Sequence, residues 1–390
     1  MTITDTKSIL LVGDFSGVHS ELRKELKERG YNVFLVSDGD VYKKFNADLL
    51  IRNEPVKGLV SRVLRRVSSF VGLDGFCTFA KNYNNWKELR DFDVVQLINP
   101  SPLQGFGFFS NYIFLHFLIK NNNKIFLSAL GEDYYWVKHC IDKKYKYSAL
   151  DNLNNTTRVK YKYTLRHLKL WFKVLNDLAV KHAIAIIPGL YDYKIAYQSI
   201  EKCIDVIPLP VDKARVSCVP IETPLNNKIV IFHGWQKGKE LKKGNLLFDA
   251  VVKKILLKYP NDVEYRVLSN VPYSEYIRSF EDCHIFLDQC YSYDRGVNAV
   301  LGMAAGKVVF SGAEQDSLNC YDTSGLDDVP LINALPNEDS LFYEIENLIL
   351  NRKRLHAISI SALAFINKNH LNTVVVDRYL DVWSRNENKN

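Results

Sequence analysis

The stretch His284 to Gly312, HIFLDQCYSYDRGVNAVLGMAAGKVVFSG, constrains the fold more than any other part of the chain. Ile285 to Leu287 is a short apolar run closed by Asp288, the pattern of a strand buried in a parallel sheet whose following loop reaches the sheet edge. A polar loop then runs to Gly296. Asn298 to Ala305 reads as a compact helix in which Gly302, Ala304 and Ala305 let the backbone lie close to a strand, with Gly306 where a C-terminal cap belongs. Lys307 to Ser311 is the next strand. This β-loop-α-β unit puts Gly296, Val297 and Asn298 at a helix N-terminus, where free N–H groups and the helix dipole can hold a phosphate. An ordinary crossover, with a glycine needed only for its turn, is the competing reading.

With 390 residues and 47% hydrophobic content, the chain exceeds one ordinary core and suits two domains of similar size. The start, MTITDTK, lacks an apolar signal segment. Phe106 to Ile119 is the longest apolar run; it carries Asn111 and His116 and falls short of the roughly 20 residues that span a bilayer, so it reads as a buried helix. Seven cysteines form neither a CxxC pair nor a Cys/His cluster at zinc spacing, which fits a reducing cytoplasm. Charge is uneven. Residues 1–212 balance at +8 and residues 213–390 at −1. Arg62, Arg65 and Arg66 form one basic cluster, and Lys143, Lys146, Arg158, Lys160, Arg166 and Lys169 belong to another. Such a face suits anionic lipid headgroups, a polyanion or nucleic acid, or is simply solvated.

In the first half, Ser8 to Val12 reads as a strand, Gly13 to Gly17 as its loop, Val18 to Arg29 as a helix and Asn32 to Val36 as the second strand. The loop lacks GxGxxG, which weakens any NAD reading. Asp38-Gly39-Asp40 and Asp91-Phe92-Asp93 have the look of metal-binding triplets but read better as loop acids. Val94 to Ile98 and Lys124 to Ser128 continue the sheet, and the second leads into Gly131-Glu132-Asp133. A carboxylate at the C-terminal edge of a parallel sheet can take a proton from a bound hydroxyl, or can cap the next helix. The pattern also predicts a basic amphipathic helix over 160–181 and strands at Ala183 to Ile187 and Ile204 to Ile207. Pro208 to Asp212 then breaks regular structure and marks a domain boundary. Beyond it, Ile229 to Phe232 enters a loop from His233 to Gly244 with Gly234, Gly238 and four lysines, a suitable cradle for a diphosphate. Val263 to Leu268, with a loop through Val271, precedes the stretch that opened this section.

Several of these segments, in order, resemble the GT-B glycosyltransferases, particularly family 4. Leu301 to Gly306 with Lys307, Val308 and Val309 is similar to that family's helix Glu-Ala-Met-Ala-x-Gly and its following Val-Val strand. The resemblance implies an α/β GT-B fold: two Rossmann-like doubly wound parallel sheets facing across a cleft. Residues 1–210 would form the acceptor domain, 211–371 the donor domain, and 372–390 a helix crossing back with a polar tail. It further implies a nucleotide-diphosphate sugar as donor, with Gly17 near its phosphates, His233 and Gly234 in the cradle, Lys237 and Lys243 as its cations, and Val271 against the base. Asp133, with Glu132 in reserve, would face a hydroxyl of a glycan, glycolipid or polymer acceptor. Leu301 replaces the family's ribose-binding glutamate and Tyr293 its other acid, with Asp294 adjacent. The expectation is a cytoplasmic, metal-independent enzyme without a cofactor, acting in cell-surface polysaccharide synthesis, in peripheral contact with anionic membrane and without nucleic acid. A sugar-nucleotide epimerase and a non-catalytic scaffold of the same fold remain open.

Overall fold

The computed structural model describes residues 7–39, 47–53, 72–225, 227–269 and 271–385. Arg62, Arg65, Arg66, Asp40 and Asn270 lie outside them.

Six apolar runs pair as one wholly parallel sheet: β1 (Ser8–Val12), β2 (Asn32–Ser37), β3 (Leu49–Leu50), β4 (Val94–Leu97), β5 (Lys124–Ala129) and β6 (Ile186–Pro188), in the order β3-β2-β1-β4-β5-β6. Side chains alternate across it. Leu10 and Val12 face a core with Leu97, Phe114 and Leu127, while Ile9 and Leu11 face Leu22, Val375 and Tyr379 on the other side. Helices on both faces explain why these strands are apolar throughout rather than alternating. A second parallel sheet is built from β7 (Ile229–Trp235), β8 (Val263–Ser269), β9 (Ile285–Leu287), β10 (Val308–Ser311) and β11 (Ile332–Asn333), in the order β11-β10-β9-β7-β8.

Two neighbouring strands of chain join the halves. Val211 bridges Leu371, and the ring Nδ1 of His370 lies 2.8 Å from the carbonyl of Leu209. The helix Asn372–Arg385 lies on the first half, where Trp383 Nε1 donates to Gln96 Oε1 at 3.0 Å and Arg29 pairs with Asp377.

Two sequence expectations fail here. Ile204 to Ile207 is not a strand: Ile204 N–H donates to Ile186, but Pro208 and Pro210 lack the donors to extend a ladder. The basic helix is broken, because Lys169 is extended (φ −66°, ψ 146°) and separates short turns over 158–168 from the helix Leu170–His182.

Candidate active site

Open α/β sheets bind ligands where strand order reverses, beyond the C-terminal ends of the strands. In the second sheet that point lies between β7 and β9, so the loops after them, 236–244 and 288–296, form the crevice walls. Asp288 ends β9, is buried, and accepts from Lys243 Nζ at 2.7 Å and from Ser311 Oγ at 3.0 Å. Gly244 explains how the two loops meet. A Cβ there would lie 2.1 Å from Cys290 Sγ, and Cys290 N–H donates to the Lys243 carbonyl at 3.0 Å. Lys243 is thereby pinned at the crevice with its charge partly balanced.

Gly296 caps the helix Val297–Ala304 with φ −83°, a conformation open to any residue, and a Cβ there would meet nothing within 4 Å. Neither backbone nor packing requires this glycine. Its missing side chain leaves the helix N-terminus uncovered, and no side chain caps it. Val297 packs against the cluster of Val18, Ile98 and Leu130 of the first half, so this helix start faces the loops after β1 and β5.

Those loops carry the first half's contribution. Gly17 (φ 86°) caps the helix Val18–Glu28, and Asp14 accepts from His19 N–H at 3.0 Å and Ser20 Oγ at 2.5 Å. Gly131 (φ 76°) admits the Phe15 ring, which a Cβ would meet at 2.8 Å. Glu132 reaches across the crevice to pair with Lys242, which also contacts Thr164 Oγ1 at 2.5 Å; among the described residues the other oxygen of Glu132 has no partner.

Asp133 does not face the crevice in the manner expected of a base. It is 1% exposed, caps the helix Tyr134–Ile141 by accepting from Trp136 N–H at 2.9 Å, and accepts from Tyr197 O–H at 2.7 Å. Burial raises its pKa to about 6 despite those two donors. Glu132, the reserve candidate, is the carboxylate directed at the other domain.

Other expected contacts are redistributed too. His233 is wholly buried between Tyr265 O–H and Asn245 Nδ2, each at 2.6 Å, and burial lowers its pKa to about 4, so its ring serves the domain interior. Gly234 makes room for Tyr276, whose ring a Cβ would meet at 2.8 Å. Lys237 is exposed at the loop tip; Val271 and Asn298 are half-buried at the C-terminal edge of β8 and at the helix start. Tyr293 stacks edge-on against Tyr145 and Tyr147 and accepts from Lys146 N–H, while buried Asp294 accepts from Tyr191 N–H and Tyr321 O–H, each at 2.8 Å. Both side chains thus help hold the halves together. Leu301 is buried in an apolar cluster. Asp93 accepts from Ser8 N–H and Oγ, each at 2.9 Å, and Asp38 accepts from Gly105 N–H at 2.6 Å, so these acids tie loops. Among the described residues no group of three His, Cys, Asp or Glu is arranged to hold a metal ion.

Sequence reasoning gave Lys242 and Asp288 no role of their own and missed Asp192. Asp192 is buried and gathers Ser292 Oγ at 3.0 Å and the N–H groups of Tyr293 and Asp294, each at 3.1 Å. No local pattern marks it, because all its partners lie about a hundred residues away.

No family model matches this sequence, and no curated protein matches it. Solved structures do match along nearly all of it. HepE of Anabaena, in complex with UDP and glucose, is 12% identical over 97% of this chain and 99% of its own, with a TM-score of 0.57. A glycosyltransferase from Rickettsia africae ESF-5 is 13% identical over 99% and 100%, at 0.56. Sucrose-phosphate synthase from Thermosynechococcus elongatus is 9% identical over 97% and 98%, at 0.59. At these identities the likeness is one of architecture: two parallel-sheet domains with flanking helices, the GT-B fold.

Proposed function

We propose that the chain is a nucleotide-sugar-dependent, hexosyl-type glycosyltransferase that moves a sugar to a hydroxyl of a glycan, glycolipid or polymer acceptor in cell-surface polysaccharide synthesis. The carrying observation is the uncapped helix N-terminus at Gly296, where a glycine that the fold does not need leaves room for an anion. Lys243, paired with Asp288 at the end of β9, supplies a cation at the switch point, and Lys237, exposed at the loop tip, is free to close over the diphosphate.

In this reading the helix N–H groups and Lys243 stabilise the charge that develops on the leaving diphosphate, the task a metal ion performs in other transferases. Gly17 and Val271 border the donor. Glu132 faces the acceptor hydroxyl in place of Asp133, and its pairing with Lys242 holds it across the cleft until substrate arrives. Leu301, at the position of the family's ribose-binding glutamate, packs in an apolar cluster.

The test is incubation with a panel of nucleotide sugars, UDP-sugars first because HepE was crystallised with UDP and glucose. Nucleotide release that rises with acceptor supports transfer. Interconversion of the donor without release means an epimerase, and neither product means a scaffold.

A further inference from the structure

The first domain carries a second concavity beside the crevice. This groove, of about 970 Å³, runs between the start of the helix Phe108–Asn121 and the segment 155–172. Its walls are aromatic: Phe106, Phe108, Tyr163, Trp171 and Phe172. Arg158, Lys160, Lys162, Arg166 and Lys169 line it as well, with Asp74 the acid among the lining side chains. From Asn152 through Asn176 the sequence has six Lys and Arg and no Asp or Glu. Among the described residues, Arg158, Lys160 and Lys162 have no carboxylate partner and are exposed. Arg166 lies over the Tyr163 ring at 3.8 Å, and its Nε has no hydrogen-bond partner.

Apolar side chains project at the same rim. Val159 is 75% exposed, Leu170 67% and Trp171 47%. On the adjoining helix, Phe109 and Ile113 are 39% and 40% exposed. Scattered exposed apolar residues are ordinary, but here they cluster around Arg158, Lys160 and Lys162. A soluble polyanion would satisfy the cations and leave Leu170 and Val159 in water. A bilayer surface takes both: phosphates meet the cations, and aliphatic and indole groups settle at the headgroup–acyl boundary. No helix among the described residues is long and apolar enough to cross a membrane.

We propose that this face docks the protein on an anionic lipid bilayer, with a lipid phosphate in the groove and Val159, Leu170 and Trp171 entering the interface. The groove adjoins the crevice, since Lys242 reaches Thr164 beside its lining residues Tyr163 and Leu165, but its role does not depend on the transfer reaction.

The experiment is flotation of the full chain with phosphatidylcholine vesicles, with and without phosphatidylglycerol, at physiological salt. Partition should favour the anionic vesicles. The triple variant Arg158→Gln, Lys160→Gln, Lys162→Gln should partition roughly a hundredfold less, as three surface cations imply. Val159→Ser with Leu170→Ser should also weaken partition and leave the remainder fully salt-sensitive. Because all five positions are exposed, melting temperatures should match the parent. Tryptophan emission should shift to the blue with anionic vesicles and fail to shift in Trp171→Phe. Equal partition into neutral and anionic vesicles, or parental partition by the triple variant, overturns the proposal. So does full displacement by soluble glycerol phosphate or heparin at matched charge, which would assign the groove to a free anion or an acidic polymer.

Discussion

Lys243 is 15% exposed and its partner Asp288 1%, so the lysine's contribution to a ligand has to be separated from its contribution to the fold. Removing one member of a buried pair costs about 3–5 kcal/mol, because the other charge is left uncompensated. Lys243→Ala should therefore lower the melting temperature whatever its role. Adding Asp288→Asn should recover much of that loss without restoring nucleotide binding. A charge-assisted bond contributes about 1.5–3 kcal/mol, so affinity for a nucleoside diphosphate should stay roughly ten- to a hundredfold below parent in the double variant. Parental affinity there, by calorimetry, would remove Lys243 from the site. The neighbouring carboxylates separate in the same way. Glu132→Gln should keep donor affinity while turnover falls by roughly 10²–10⁴. Asp133→Asn should keep most turnover, since asparagine caps a helix about as well as aspartate. The reverse pattern in steady-state kinetics would return the acceptor role to Asp133. The capping role of Asp133 was legible in the sequence as an alternative, an acid between a strand and a helix. Which of two adjacent acids turns inward was not, because Tyr197 and Asn176, which fix the orientation, come from distant helices.

At the scale of elements, the β-loop-α-β stretch from 284 to 312 was readable because apolar runs and small residues report burial directly. The glycine that starts its helix, Gly296, contrasts with Gly244, which starts the helix Asn245–Lys258. Gly244 (φ 78°) could not carry a Cβ without meeting Cys290 Sγ at 2.1 Å, whereas Gly296 could carry one freely. Gly244→Ala should therefore destabilise by about 1–3 kcal/mol through strain and displaced packing. Gly296→Ala should leave the melting temperature near parent. Differential scanning calorimetry of the two variants checks this, and a large loss for Gly296→Ala would return that glycine to an ordinary turn. The break at Lys169 shows where periodicity misleads. A basic amphipathic pattern ran through 160–181, yet the first part wraps toward the second domain, with Asn152 Nδ2 donating to Leu241 and Lys242 reaching Thr164. Tertiary contacts overrode a local preference that is worth only tenths of a kcal/mol per residue.

For the whole molecule, the two parallel-sheet domains could be read from length, strand runs and the proline break. The contacts that hold them together could not, because they pair residues far apart in sequence. Asp192 is the clearest case, gathering three donors from the loop 292–294. Burial, and then the neighbouring Asp294 carboxylate, raise its pKa from 3.8 to about 7. The folded state thus keeps a proton that the unfolded chain has released, so this group's contribution is full below about pH 4 and is lost as pH rises through about 7. Asp133, raised to about 6, acts in the same direction over the lower part of that window. Asp192→Asn should lower stability by about 1–3 kcal/mol through a mismatched donor, and should flatten the fall in melting temperature between pH 6 and about 7. An unchanged pH slope would mean that Asp192 is ionised throughout. The central claim is that the crevice between the domains receives a donor diphosphate at the Gly296 helix start. Its most direct test is calorimetric titration of a nucleoside diphosphate, and of the matching nucleoside, into parent and Gly296→Val. The expected result is that the parent binds the diphosphate far more tightly than the nucleoside, and that the variant, with an unchanged melting temperature, loses most of that difference. Equal diphosphate affinity in parent and variant would contradict it.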